Sequence, residues 1–246
     1  MKKHYYSYIV PAMILFAGIQ LPACASKPGP LGERTIELDD FDFSTSISEI
    51  LPECYKDPEY GDDFYLVPSS GFGKKGYGKE TYRDLDTNEA LWIEYRWGSV
   101  CSTDEYLSMA GRICNAANFA TTLDGRIFVA SGYIDELTQA ENDDFIAQLS
   151  KRYGEPVHTE ESFCSDYDLY TWTLEDRTIK YAVVTTNESN ALIIELERNE
   201  TGDLTDIHPG ERRTYLQGRI FVIDAAWRDR FLASDLTRTG DFVYCK

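Results

Sequence analysis

The chain predicts an α+β fold in which an antiparallel β-meander carries one or a few helices on one of its faces. Three observations predict it. A helix with both ends marked runs from Thr138 to Tyr153, and three strand-like runs separated by short turns follow it as far as Arg198. A Gly-Arg-Ile-Phe-Val strand motif occurs twice, at 125–129 and at 218–222. With 246 residues, 43% of them hydrophobic, there is material for one sizeable core, and 17 Tyr, 12 Phe and 4 Trp exclude a disordered chain.

Taken in order, Lys2 and Lys3 precede a mostly apolar run from Ile9 to Leu21, too short to span a bilayer and suited to the core of an export signal. The run ends at Leu21-Pro22-Ala23-Cys24, which resembles the lipobox of bacterial lipoproteins. Pro22 departs from the small aliphatic residue usual there. The resemblance implies cleavage before Cys24, acylation of that residue, and a lipid anchor in the membrane, at the outer membrane or cell surface. Ala23-Cys24-Ala25 also reads as an ordinary signal-cleavage site, which would leave a soluble periplasmic or secreted product. On this reading residues 1–23 are the signal and 24–34, rich in Pro and Gly, a tether. Residues 35–246 are then one α+β domain, or two related lobes (35–120 and 121–246) if the repeated motif marks a duplication.

Ile36, Leu38, Phe41 and Phe43 alternate with polar residues and predict a first strand. Ser44 or Ser46 can cap a short helix through Ile47, Ile50 and Leu51 that ends near Pro52. Phe64 to Val67 predicts a strand, and Gly71 to Gly78 a hairpin loop that fits neither a P-loop nor a dinucleotide fingerprint. Asp84, Asp86 and Asn88 match the first ligands of a calcium loop, but Glu89 stands where its glycine is needed and Tyr95 where its bidentate Glu is needed. Ala90 to Trp97 predicts a strand with Leu91, Ile93, Tyr95 and Trp97 on one face and Trp92, Glu94 and Arg96 on the other. Trp92 and Arg96 are the candidate ligand-binding pair, with packing under a loop as the competing role for Trp92. Thr103 to Ala117 carries a weak helical pattern interrupted by Gly111. Both copies of the repeated motif read as a turn leading into a strand buried on two faces.

Thr138 and Glu141 form a capping box, Phe145, Ile146, Leu149 and Tyr153 make one apolar face, and Gly154 with Pro156 stops the helix. After a polar loop, Val157 to Asp168, the runs 170–174, 178–184 and 191–196 predict the meander. A helix followed by a meander resembles, in element order alone, the helix-on-sheet modules of envelope proteins similar to β-lactamase inhibitor protein; no site residue follows from that. An aromatic stretch around Trp227 and Phe231 and a strand at 241–245 complete the chain.

A net charge of −18 and the lack of a basic, aromatic-studded patch argue against nucleic acid. Apart from Cys24 there are five cysteines, with Cys101 and Cys114 the nearest candidate disulfide pair, and no zinc spacing or other metal signature. His158 and His208 stand in polar surroundings outside any catalytic motif. No cofactor motif occurs. The function expected is that of a non-enzymatic envelope module binding a protein partner through a sheet face or edge. The alternative is a glycan- or small-ligand-binding protein using exposed aromatics, and a hydrolase with a carboxylate pair ranks third.

Overall fold

The computed structural model describes residues 28–61, 63–69, 74–84, 86–97, 105–163, 165–187, 194–198, 204–209, 214–234 and 240–245. The signal segment, Cys24 and Cys101 lie outside them. The architecture is a β-rich α+β fold built on one antiparallel sheet of nine strands. Its first half is formed by β2 (Phe64–Pro68), β3 (Lys74–Arg83), β4 (Ala90–Trp97), β7 (Ala116–Thr121) and β8 (Ile127–Leu137). The second half is formed by β9 (Val157–Phe163), β10 (Ser165–Thr173), β11 (Arg177–Asn187) and β14 (Thr214–Asp224). The spatial order is β2-β3-β4-β7-β8-β14-β11-β10-β9. Two meanders therefore run outward from a seam at β8 and β14, and residue 121 falls at the end of β7. A short sheet, β1 (Ile36–Glu37), β5 (Leu107–Met109) and β6 (Arg112–Cys114), and a ribbon, β12 (Ile194–Arg198) with β13 (Leu204–Pro209), stand apart.

The two copies of the repeated motif are the two seam strands. They pair antiparallel, with Val129 opposite Ile223 and Ala130 opposite Val222. Apolar side chains on both sides suit strands covered on both faces, and these sit at the centre of the sheet. Their glycines differ. Gly125 has φ 87° and closes a turn, whereas Gly218 lies inside β14, where a Cβ would come within 2.7 Å of the Tyr181 ring.

The first face of the sheet receives α2 (Gln139–Tyr153), α1 (Ile47–Ile50) and the small sheet. Helix α2 forms as its ends dictate: Thr138 and Glu141 close the capping box, and Gly154, at φ 89°, ends it with its N–H on the Ser150 carbonyl. Phe145 meets Tyr181 edge to face, with centroids 5.0 Å apart. Ser46 and Glu49 form a second capping box on α1. Leu31, assigned to the tether by composition, is fully buried and bonds through its N–H to Ile50. The second face carries α3 (Ala225–Ala233) and a 3₁₀ helix, Gly240–Cys245, so helices cover both faces rather than one.

Several expectations are corrected. Over its described residues, 105–117, the helical pattern is β5, β6 and the start of β7, because Ala110 (φ 49°) and Gly111 (φ 76°) supply the left-handed pair of a two-residue hairpin. The stretch expected as a polar loop, 157–168, is β9 and the start of β10, whose polar residues suit an exposed edge. The described part of the third run, from Ile194, belongs to β12 outside the large sheet, and β14 stands beside β11 over eleven paired residues. The C-terminal strand is the 3₁₀ helix, and the first strand shrinks to Ile36–Glu37. The candidate pair of Cys101 and Cys114 reaches outside the described residues at Cys101; Cys114 and Cys245 are buried and Cys54 is exposed. The C-terminus is held by Phe242 in the core and by Lys180 Nζ, which donates to the Cys245 carbonyl at 2.6 Å.

Candidate functional site

The second face of the sheet is built mainly from aromatic rings. Tyr82 on β3 and Trp92 on β4 are cross-strand partners and stack with centroids 4.2 Å apart. Phe128, Phe231 and Phe242 close round Trp92 at 6.2, 5.2 and 5.7 Å, each steeply inclined to it. Trp227 stacks on Phe128 at 4.8 Å, and the Arg230 guanidinium lies over the Trp227 ring at 4.8 Å. Rings of this size meeting at fixed angles do not fill space completely. Between β4, the β3–β4 turn and α3 they leave a cavity of about 630 Å³.

Each wall is positioned by a local feature. Asp224 caps α3 by accepting from the Ala226 N–H at 2.9 Å and is tied to Arg126 at 2.6 Å, which fixes where the helix leaves β14. That helix presents Trp227, Arg230, Phe231 and Ala233 to the cavity. Opposite, the β3–β4 turn is organised by Asp84, whose Oδ1 accepts from the N–H groups of Asp86 and Thr87 and from the Thr87 hydroxyl. Those bonds hold the Asp84 carboxyl below its ordinary pKa. The buried rings form the interior, while Asp86 and Arg230 are exposed.

Trp92, a sequence candidate, thus lines the cavity, but it is 4% exposed and enclosed by rings, so it is not a solvent-facing platform. Its Nε1 is buried and has no hydrogen-bond partner among the described residues. Arg96, the other candidate, lies four residues along β4, about 13 Å away. It is exposed and pairs with Glu80 at 3.4 Å. Between them Glu94 is fully buried and accepts from the Tyr82 hydroxyl at 2.6 Å. The structure therefore separates Trp92 from Arg96 and joins Trp92 to Phe128, Trp227 and Arg230. The aromatic spacing around Trp227 and Phe231 was the one trace of this in the sequence.

Two carboxylates, Asp84 and Asp86, border the cavity, where a glycoside hydrolase would use one of its pair as a general acid. A general acid requires a raised pKa, and Asp84 is shifted the opposite way. The calcium-loop resemblance resolves in the same place: Asp84 Oδ1 is committed to the turn. His158 and His208 lie on β9 and β13; His158 pairs with Asp168 at 2.7 Å and stacks on Tyr170. Among the described residues no helix is long and apolar enough to cross a membrane. No family model matches the chain, and no curated protein or solved structure matches it.

Proposed function

We propose that the protein is an exported binding protein, anchored in the envelope through a lipid on Cys24, that takes a small, largely apolar ligand between β4 and α3 without performing chemistry on it. The observation that carries this reading is the aromatic cavity beside Trp92, whose size falls in the range of small-molecule sites. A ligand with a flat apolar body would fill the space among Leu91, Trp92, Phe128 and Trp227. Arg230 and Ser234 supply polar contacts at the exterior.

The test uses the fluorescent probe 1-anilinonaphthalene-8-sulfonate and the variant Ala233→Trp, which adds bulk at an exposed wall residue. The reading expects saturable binding at one site and a loss of about tenfold or more in affinity in the variant. Unchanged binding in the variant overturns the pocket. The anchor is tested separately by mass spectrometry of the mature chain: acyl groups on Cys24 are expected, and an unmodified chain beginning at Ser26 contradicts it.

A further inference from the structure

The nine-stranded sheet ends in two edges that are finished differently. On the outer side of β2, Lys56 bridges to Tyr65, the Asp57 N–H donates to the Phe64 carbonyl, and the strand ends in Pro68. That edge is closed. On the other side, β9 runs in unbroken register with β10, from Val157 opposite Thr171 to Phe163 opposite Ser165. Among the described residues no strand pairs with its outer side, and it contains neither proline nor bulge, two devices that blunt an edge. Two exposed large hydrophobic side chains stand on it, Val157 at 67% and Phe163 at 40%.

The residues of β9 sort by face. Val157, Thr159, Glu161 and Phe163 share one side; His158, Glu160 and Ser162 share the other, next to Tyr170, Asp168 and Asp166 of β10. On that second side a groove lies between the sheet and α2, lined by Asp143, Ile146, Ala147, Glu155 and Tyr170 together with Lys151. Glu160, Asp166, Asp168, Asp143 and Glu155 make this flank predominantly acidic, and His158 is already paired with Asp168. A second copy of the chain is a poor occupant. Pairing all seven residues of β9 with themselves about a two-fold axis sets Glu160 against Glu160, on chains of net charge −18.

We infer that β9 is a docking edge for an extended segment of another protein in which Lys or Arg alternates with apolar residues. The segment adds as a tenth strand. Its backbone takes up the open N–H and C=O groups of β9, its basic side chains lie along Glu160 and Asp168, and its apolar ones lie along Val157 and Phe163. This inference is independent of the cavity, which lies on the opposite side of the sheet from the groove.

The experiment is fluorescence anisotropy on the full mature chain at physiological salt, with a labelled Lys-Val-Lys-Val-Lys-Val-Lys peptide. Its controls are the same peptide with alternate backbone amides methylated and an alternating Glu-Val peptide. Binding of the first peptide is expected, weakened about tenfold or more by methylation and by the exposed substitution Glu160→Lys, and absent for the Glu-Val peptide. Equal binding of the methylated peptide would reduce the effect to charge adsorption and overturn strand addition. No binding of the first peptide, no effect of Glu160→Lys in a variant with an unchanged melting curve, or sedimentation showing a dimer that Glu160→Lys disrupts would also overturn it.

Discussion

The two faces of the large sheet each bury a tryptophan, and the two are treated differently. Trp172 on the first face is 2% exposed and donates from Nε1 to the Gly154 carbonyl at 2.8 Å, tying the end of α2 to β10. Trp92 on the second face is 4% exposed, has no such acceptor, and borders a cavity. Around Trp172, polar tips are joined to the covering layer: Tyr181 donates to Asn142 at 2.8 Å and Tyr153 to Asp39 at 2.7 Å. Around Trp172 the polar tips are thus paired within the covering layer, whereas Trp92 keeps a donor unpaired among the described residues and stands beside a cavity.

The largest effect expected from this contrast is at Trp172. Trp172→Ala removes packed volume and an N–H partner, and should lower stability by about 3–5 kcal/mol in urea unfolding. The sharper comparison is with phenylalanine. Trp172→Phe leaves the Gly154 carbonyl without its donor, whereas Trp92→Phe removes a donor that had no acceptor. Trp172→Phe should therefore be the more destabilising by about 1–3 kcal/mol; equal losses would erase the distinction. Next comes Gly218→Ala, whose Cβ would meet Tyr181 at 2.7 Å. A cost of about 1–3 kcal/mol is expected, and most of it should vanish in the Tyr181→Leu background if that contact is the cause. Thr138→Ala opens the capping box of α2 and should cost about 1 kcal/mol. The smallest effect is chemical: burial pushes the Cys114 thiol up to about 12, so at pH 8 it stays protonated as well as inaccessible. In the folded protein, iodoacetamide should modify Cys54 and spare Cys114 and Cys245.

What could be read from the sequence follows from how local each signal is. Helix α2 was legible because its cap, its apolar face and its stop all lie within about twenty residues, and the structure keeps every one of them. Strand β4 was legible too, down to the face that Trp92 shares with Glu94 and Arg96. The burial of Trp92 was not, because its cover comes from Phe231 and Phe242, more than a hundred residues downstream. Strand β9 was hidden because an edge strand exposes nearly all its side chains and carries no apolar alternation. The β5–β6 hairpin was misread because Leu107, Met109, Ala110 and Ile113 also fit a helical spacing, and the backbone at Ala110 and Gly111 decided the matter. The repeated motif pointed to two equivalent strands without indicating that they pair with each other.

The central claim is that the cavity beside Trp92 is a ligand site and the site of Trp172 is not. Indole ¹⁵N–¹H spectra during titration with 1-anilinonaphthalene-8-sulfonate, assigned by single Trp→Phe variants, test it most directly. The account predicts that the Trp92 and Trp227 signals move together and saturate while Trp172 stays in place. Movement of Trp172 alone, or no movement of Trp92 at saturation, would contradict it.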